Sequence, residues 1–349
     1  MVVSGLLIKI PYWVCWQVLR IFGRLQGVVF YVESEHDYQI IEYILPHINK
    51  PYRIVARNRH VAEMLQQRGV EARIWPAFPT LLIMTRHAFH RFPINNMKKI
   101  GLMHGPFYFK RMIKPERYNA FDLYLFTSQH VVDQAAVHGV GCGVVGGYAR
   151  IDAFKDSRVI ACSQQLKSES VFSDHKKILL FSATWDGSGQ STIDRWVDDL
   201  SELSVRYNIL VSIHPLMSKS YKEKVEKNKH IRVVGQHELY AAMMIADVLV
   251  CDTSSIMAEF CVLDKPVITF KVDKGHRLTP EIQSMISDIS VQIEKTDELD
   301  EAIERYLKQP DLKQENRKRW TSIMFDDLLI SHGVKAAAVI NTYIDNNYD

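Results

Sequence analysis

The chain lacks any apolar stretch of the roughly 20 residues needed to span a bilayer, and it contains little cysteine. Its five cysteines are scattered and mostly lie in apolar runs: Cys15, Cys142, Cys162, Cys251 and Cys261. None belongs to a CxxC pair or to a Cys/His cluster with metal-ligand spacing. These absences exclude a disulfide framework and favour reduced, packed cysteines in a cytoplasmic protein, with no bound metal.

Strong charge of one sign is also missing. The 43 basic and 40 acidic residues leave a net charge of +3, which does not indicate nucleic acid as a partner. There is no internal repeat and no low-complexity tract. Hydrophobic residues make up 47% of the 349 positions, so the chain is long and apolar enough for two globular domains.

The N-terminus has neither the leading basic residues nor the cleavage site of a signal peptide. Residues 6–25 combine aliphatic side chains with four aromatic and three basic ones: Tyr12, Trp13, Trp16, Phe22, Lys9, Arg20 and Arg24. We predict that residues 1–25 form an amphipathic helix at the inner membrane surface, holding Trp13, Trp16 and Phe22 at the headgroup boundary. Pro11 should then lie near the start of the helix. The alternative is a first helix that packs on the body of the protein.

From Gly27 onward, apolar β-branched runs alternate with helical patterns. The alternation predicts strands at 27–32, 52–56, 99–103, 122–126, 144–145, 178–182, 209–213, 231–234 and 248–251. Such alternation is typical of doubly wound parallel sheets. A polar bridge near residues 156–177 divides it, so we predict an α/β protein with two Rossmann-like domains facing a cleft. The first spans 26–160, and the second spans 161–349 and includes a C-terminal helix.

Gly141 to Gly146 matches the dinucleotide fingerprint GxGxxG by letter. The fingerprint requires a strand before the glycines and a helix after them. Here the predicted order is reversed, with a helix before and a strand after. We therefore expect no nicotinamide or flavin cofactor.

The most informative segment runs from Asp247 to Phe270. A β-branched strand is followed by Asp252-Thr253-Ser254-Ser255, then by a short apolar helix that carries Glu259. Hydroxyl groups and unpaired N–H groups at such a helix start can bind phosphate, and a carboxylate one turn further can bind a ribose. The pattern indicates a nucleotide-diphosphate site. The alternative is that Ser254 only caps the helix.

Two of the 14 histidines follow predicted strands directly. His104 begins the sequence His-Gly-Pro, and His214 precedes Pro215. Side chains at the carboxyl ends of parallel strands point toward the ligand crevice. An isolated histidine of this kind is more often a core or capping residue, but one in each half favours a meeting across the cleft.

Five motifs in order resemble the CDP-glycerol glycerophosphotransferase family, which includes teichoic-acid primases and polymerases. They are His104-Gly105 with Lys110, Gly147-Tyr148-Ala149-Arg150-Ile151-Asp152, Thr184-Trp185, Ser212-Ile213-His214-Pro215-Leu216, and Asp252-Thr253-Ser254-Ser255 with Glu259 and Leu263-Asp264-Lys265-Pro266. The chain departs from the family at Asp186, where an arginine is usual, at Thr253, where an aromatic is usual, and in the spacing of Lys110.

The resemblance implies a GT-B fold and transfer of a polyol phosphate from a CDP-activated donor, or another nucleotide-diphosphate donor, to a saccharide or lipid-linked acceptor. His104 would be the general base and His214 would stabilise the leaving nucleotide. Donor contacts would come from Thr184, Trp185, Thr253, Ser254, Ser255 and Glu259, and acceptor or phosphate contacts from Gly105, Lys110 and Arg150. A nucleotide-sugar glycosyltransferase, a sugar-nucleotide epimerase and a non-catalytic binding module remain alternatives.

Overall fold

The structure, a computed structural model, describes residues 2–106, 114–169, 172–272 and 278–347. The described residues form two compact units. The first contains residues 2–105, 114–150 and 325–347, and the second contains residue 106 and the described residues from 151 to 324. Each unit is built on its own parallel sheet.

The first unit has a seven-stranded parallel sheet in the order β3-β2-β1-β4-β5-β6-β7. Its strands are β1 (Val28–Val32), β2 (Tyr52–Ala56), β3 (Arg73–Ile74), β4 (Leu81–Met84), β5 (Lys98–Leu102), β6 (Leu123–Phe126) and β7 (Gly143–Val145). Every residue of β1 and β4 is buried, as expected for central strands covered on both faces.

Five α-helices in the described part of the first unit precede β7, and three of these begin at capping side chains. They are α1 (Val2–Ile21), α2 (Glu35–Ile41), α3 (Arg59–Gln67), α4 (Pro115–Tyr118) and α5 (Gln129–Val137). The side chains of Ser34, Asn58 and Ser128 accept backbone N–H groups at the starts of α2, α3 and α5. α5 precedes β7, so the GxGxxG segment lies between a helix and a strand, which confirms that it is no dinucleotide fingerprint.

The second unit has a six-stranded parallel sheet in the order β10-β9-β8-β11-β12-β13. Its strands are β8 (Ile178–Ser182), β9 (Asn208–Ser212), β10 (Arg232–Val234), β11 (Val248–Cys251), β12 (Val267–Phe270) and β13 (Ser290–Ile293). Its helices are α6 (Ser157–Lys167), α7 (Ile193–Trp196), α8 (Leu200–Arg206), α9 (Lys219–Lys227), α10 (Leu239–Ile245), α11 (Ile256–Cys261), α12 (Pro280–Ile289), α13 (Leu299–Lys308) and α14 (Gln314–Phe325). The prediction of two α/β domains with doubly wound parallel sheets is confirmed.

The C-terminal helix corrects the predicted division of the chain. α15 (His332–Asn347) packs into the core of the first unit through Ala336, Ala337, Ile340 and Ile344. The predicted second domain, 161–349, includes this helix. Its apolar face instead covers the first sheet, so the chain returns to the first unit at its end.

α1 corrects two details of the prediction for the N-terminus. Trp16 is buried and donates from Nε1 to Pro79 O at 3.0 Å, so it packs on the body of the first unit instead of facing outward. Buried Tyr12 donates to Ala77 O. Pro11 lies nine residues after the first helical residue, Val2, and therefore well inside the helix instead of near its start.

The opposite face of α1 is apolar and exposed. Its outward side chains are Ile10, Trp13, Val14, Val18 and Ile21, with exposed Phe22 just beyond the helix. The helix therefore has two apolar faces, one of which packs on the body. No helix within the described ranges is both long and apolar enough to cross a membrane.

Candidate functional site

Each sheet has a topological switch point, where the strand order runs outward in both directions from two neighbouring strands. In the second sheet it lies between β8 and β11, and in the first between β1 and β4. In open α/β sheets, ligands bind beside the carboxyl ends of the strands at this point. The two switch points are therefore where functional residues are expected.

A fully buried carboxylate, Asp252, occupies the switch point of the second sheet. It follows β11 directly and accepts the N–H of Thr184, which follows β8, at 2.9–3.0 Å. It also accepts the N–H groups of Thr192 at 3.3 Å and Ser254 at 3.0 Å. One side chain thus fixes three loop positions and brings two of the predicted donor-binding segments together.

The hydroxyl residues after Asp252 differ in exposure. Thr253 is buried, with its hydroxyl 3.5 Å from Gln190 Oε1, whereas Ser254 and Ser255 are half-buried. Ser255 stands at the N-cap of α11, but its side chain makes no capping hydrogen bond. The alternative in which Ser254 caps the helix also finds no support, because the N-cap position belongs to Ser255. Both hydroxyls remain suited to binding a ligand.

Glu259 lies within α11 and is buried. The hydroxyl of Tyr240 donates to its Oε2 at 2.6 Å, and the Tyr240 ring contacts Phe154 with centroids 4.7 Å apart. The carboxylate is therefore held in one orientation by a buried neighbour. A ribose contact through this carboxylate remains a prediction.

His214 lies two residues beyond β9, the strand beside β8, whereas the sequence predicted that it follows this strand directly. Its Nδ1 accepts the N–H of Leu216 at 3.1 Å, which leaves the proton of a neutral imidazole on Nε2. Asp186, in the loop after β8, accepts the N–H of Ser218 at 2.9 Å, and this bond lowers the pKa of the Asp186 carboxyl. The residue that replaces the family arginine thus links the loops after β8 and β9.

Trp185 precedes Asp186 and is half-buried. Its ring lies against Gly187 so closely that a Cβ at that glycine would come within 2.3 Å of it. Glycine at position 187 is therefore required for this close approach. The indole lies in the same loop as Thr184, which is part of the Asp252 cluster. This cluster consists of Asp252 and the three residues whose N–H groups it accepts, Thr184, Thr192 and Ser254.

The switch point of the first sheet is held by another buried aspartate, Asp37, which the sequence did not single out. Its Oδ1 accepts hydrogen bonds from Thr85 Oγ1 at 2.7 Å and from Arg86 Nε at 2.9 Å. Its Oδ2 accepts Ser34 Oγ at 2.8 Å and the N–H of Glu33 at 3.2 Å. This carboxylate joins the ends of β1 and β4.

His104 lies two residues beyond β5 and is exposed. Nε2 of His36, on α2, donates to His104 O. Burial, with the charge of Arg150 beside it, lowers the pKa of His36 well below its ordinary value, so that imidazole is neutral near pH 7.

A second imidazole near His104 is also neutral. Burial, with the charges of His104 and Arg117, lowers the pKa of His87 to about 4. The His87 ring contacts Tyr118 and Phe121 with centroids 5.1 and 5.2 Å away. His104 therefore has two uncharged imidazoles as neighbours at the carboxyl edge of the sheet.

The predicted acceptor contacts are placed differently. Arg150 is buried and donates from a terminal nitrogen to Gln39 Oε1 at 2.9 Å, so part of its guanidinium is used within the first unit. Gly105 is half-buried beside His104. Lys110 lies outside the described residues.

Four residues at this edge of the first sheet could not be recognised in the sequence. No motif or long strand pattern marks their positions, which are Asp37, Arg86, His36 and His87.

A family profile described as "CDP-Glycerol:Poly(glycerophosphate) glycerophosphotransferase" matches residues 117–326. This range covers more than half of the chain, including Arg150, Thr184, His214, the Asp252 cluster and Glu259. His104 lies before it.

Curated relatives agree with the profile. The chain is 26% identical over 204 residues to a teichoic acid poly(ribitol-phosphate) polymerase of Bacillus spizizenii, covering 55% of this chain and 32% of that protein. It is 28% identical over 109 residues to a teichoic acid glycerol-phosphate primase of Bacillus subtilis, covering 30% and 28%. The chain spans about a third or less of the length of the curated relatives it matches.

Solved structures match nearly the whole chain. The wall teichoic acid polymerase TagF superposes with a TM-score of 0.66 at 14% identity, over 99% of this chain and 98% of that one. UDP-GlcNAc 2-epimerase from Neisseria meningitidis gives 0.62 at 12% identity, over 92% and 99%. At these identities the likeness shows the fold, which is of the GT-B type and has one parallel-sheet α/β domain in each unit.

Proposed function

The chain belongs to the CDP-glycerol:poly(glycerophosphate) glycerophosphotransferase family, and from this we propose a polyol-phosphate transferase. It takes the polyol phosphate from a CDP-activated donor and transfers it to a hydroxyl of a saccharide or lipid-linked acceptor during synthesis of a cell-surface polymer. The observation that carries the proposal is the Asp252 cluster. It brings Thr184 and Ser254 together at a switch point, within the residues that match the family.

The second unit binds the nucleotide of the donor in this proposal. Ser254 and Ser255 supply hydroxyl and N–H groups to the diphosphate, and Trp185 stands beside them at the loop after β8. Glu259, oriented by Tyr240, accepts hydrogen bonds from the ribose hydroxyls. None of these contacts requires a metal ion.

The first unit binds the acceptor and supplies the base. His104 is exposed at the carboxyl edge of the first sheet, and an imidazole suits removal of a proton from a hydroxyl near neutral pH. His36, through its bond to His104 O, fixes the backbone from which the His104 side chain extends. Gly105, Arg150 and Lys110 remain predicted acceptor contacts.

The reaction is a displacement at the phosphorus that carries the polyol. The acceptor oxygen forms a bond to this phosphorus, its proton passes to His104, and the bond from the same phosphorus to the bridging oxygen of CMP breaks. Negative charge grows on the departing CMP, where a hydrogen bond from His214 Nε2–H stabilises it. The products are the extended acceptor and CMP.

A glycosyltransferase that uses a nucleotide sugar is the alternative enzyme on this fold. Diphosphate and ribose recognition would use the same second unit, and attack would occur at a sugar carbon instead of phosphorus. The likeness to the epimerase concerns the fold alone. Donor selectivity separates the alternatives.

The exposed face of α1 supports a peripheral position on the inner face of the membrane. Its aliphatic side chains and Trp13 would enter the headgroup boundary, while Lys9, Arg20 and Arg24 remain in water near anionic lipid. Trp16 takes no part in this contact, because it is buried against the body.

The test is a donor panel measured in two ways. Thermal shift with CDP-glycerol, CDP-ribitol, CMP and a set of UDP-sugars reports binding. Release of CMP in the presence of a polyol-phosphate-primed acceptor reports turnover. We expect stabilisation by the CDP compounds and acceptor-dependent CMP release. Stabilisation by a UDP-sugar alone would favour the glycosyltransferase, and no stabilisation by any of them would favour a binding module.

A further inference from the structure

The switch point of the first sheet contains a positively charged side chain that the reaction described above does not use. Arg86 follows β4, and its Nε lies 2.9 and 3.2 Å from the two carboxylate oxygens of Asp37. The Asp37 side chain is 1% exposed, whereas the Arg86 side chain is 42% exposed. A buried anion thus fixes the inner part of a guanidinium whose outer part reaches the surface.

The charge of Asp37 is shared among several donors. Besides Arg86, the carboxylate accepts the hydroxyls of Thr85 and Ser34 and the N–H of Glu33. Because four donors share the two carboxylate oxygens of Asp37, each hydrogen bond receives only part of the negative charge. Arg86 is therefore oriented by Asp37 without being fully neutralised by it.

The two terminal nitrogens of the Arg86 guanidinium can bind a ligand. Every recorded bond of this side chain uses Nε, and among the described residues none holds its two terminal nitrogens. A guanidinium presents its terminal N–H groups in a planar fork that matches two oxygens of a phosphate. Held rigidly by Asp37, this fork loses little side-chain entropy when it binds a ligand.

Arg86 also lies close to the predicted base. β4 and β5 are neighbouring strands, with Met84 paired to Gly101, and Arg86 and His104 each lie two residues beyond the end of their strand. A second link runs through α2, where His36 contacts His104 O and the next residue, Asp37, binds Arg86. The proximity is also seen in the pKa of His36, to whose lowering the charges of both His104 and Arg86 contribute.

We propose that Arg86, positioned by buried Asp37, binds a phosphate group of the acceptor next to the hydroxyl that His104 deprotonates. The inference rests on the proposed function, since it assigns the acceptor to the first unit. It makes the acceptor class specific. The preferred acceptor ends in a polyol phosphate, and a neutral saccharide is a poor one.

The experiment measures acceptor binding apart from turnover. Titration calorimetry with sn-glycerol 3-phosphate is carried out on the full chain and on Arg86→Gln, Arg86→Lys and Arg59→Gln. Arg59 is the matched control, because it is an exposed arginine of the same unit whose partner among the described residues is Glu63 on its own helix. We expect affinity to fall about 10- to 100-fold in Arg86→Gln, less in Arg86→Lys, and not at all in Arg59→Gln.

A second pair of measurements separates this proposal from two alternatives, a donor site and a lipid headgroup site. CDP-glycerol affinity should be unchanged in Arg86→Gln, so loss of both ligands would overturn the assignment to the acceptor. Sedimentation with phosphatidylglycerol vesicles should also be unchanged. A vesicle defect with normal glycerol 3-phosphate binding would overturn the proposal in favour of a lipid headgroup site.

Asp37→Asn tests the positioning role. Asparagine keeps the shape of the side chain but loses the charge that orients the guanidinium, so glycerol 3-phosphate affinity should fall in the folded protein. Equal affinity in the wild type and both Arg86 variants would refute the inference while leaving the transferase intact. Absence of CDP-glycerol binding and turnover in the wild type would instead refute the proposed function.

Discussion

At the first switch point Asp37 binds an arginine side chain, whereas at the second Asp252 accepts the backbone N–H groups of Thr184, Thr192 and Ser254. Both carboxylates are buried, and both join the loops that follow the two central strands of their sheet. The first arrangement presents a cation at the surface, and the second presents hydroxyls and peptide groups. The same fold element is thus built for two different ligands.

The largest expected effect separates chemistry from donor binding. His104→Ala should lower turnover by about 10²- to 10⁴-fold, because a general base is lost, while CDP-glycerol affinity changes little. Stopped-flow CMP release and calorimetry on the same preparation check both quantities. Turnover close to that of the wild type would remove His104 from the mechanism and break the division between the two switch points.

The two aspartates can be compared directly by the same substitution. Asp252→Asn and Asp37→Asn should each lower the free energy of unfolding by about 2–4 kcal/mol, because a buried amide group then faces N–H donors. Only Asp252→Asn should weaken CMP binding, by about tenfold. Denaturant unfolding and calorimetry provide the measurements. Equal loss of CMP affinity in both variants would contradict separate ligand sites.

As the pH falls, the first unit should lose stability before the second unit does. The pKa of His87 is lowered to about 4 by burial, below its ordinary value of 6.5, and that of His36 is lowered as well. A histidine with a lowered folded-state pKa contributes its full stability above pH 6.5 and loses it as the pH falls toward 4. For partly exposed His87 this amounts to about 1–2 kcal/mol.

Hydrogen exchange at pH 7 and pH 5 checks this order. Amides of β5 should lose protection at pH 5, and amides of β11 should lose less. His87→Phe should reduce the pH dependence of β5. Parallel loss of protection in both strands would show that the histidines of the first unit do not determine its response to acid.

Ser255 offers a test in which stability and binding separate. Its hydroxyl caps nothing, so Ser255→Ala should change the free energy of unfolding by less than about 0.5 kcal/mol. CDP-glycerol affinity should fall about three- to tenfold, with a smaller change in kcat. Thr279→Ala is the control, since Thr279 caps α12 through Ile282 N. That variant should lose stability and keep its affinity.

The smallest effect concerns α1, which belongs to the first unit. Trp13→Ala should reduce sedimentation with anionic vesicles a few-fold at unchanged stability, because Trp13 is exposed. Trp16→Phe should lower stability by about 1 kcal/mol, since it loses the bond to Pro79 O, and should leave vesicle binding unchanged. The reverse pattern would exclude the outward face as the membrane contact.

Much of the second unit could be predicted from the sequence. The strand at 178–182 agrees with β8 at both ends, and the segment after Asp247 forms the predicted strand, polar turn, helix and strand. Long apolar runs separated by clear turn residues carry this information. The histidines at strand ends were found in the same way.

The first switch point could not be predicted, and the reason is β4. This strand has only four residues, Leu81–Met84, and a run that short gives no periodicity. Without β4 the sheet order is unknown, so nothing placed Arg86 beside Asp37, 49 positions earlier. Asp252 was part of a recognised motif, but its bonds to Thr184 and Thr192 depend on loops far away in sequence. Tertiary contacts of this kind leave no local signal.

The return of α15 to the first unit has a consequence for how the protein forms during synthesis. Asn341 bonds to Asn49 across 292 positions and to His47 across 294. The core of the second unit can close as soon as residue 324 has emerged, because all of its described elements are then available. The first core must wait for Ile340 and Ile344. The half of the protein that is made first is therefore completed last, and the donor-binding half can fold ahead of it.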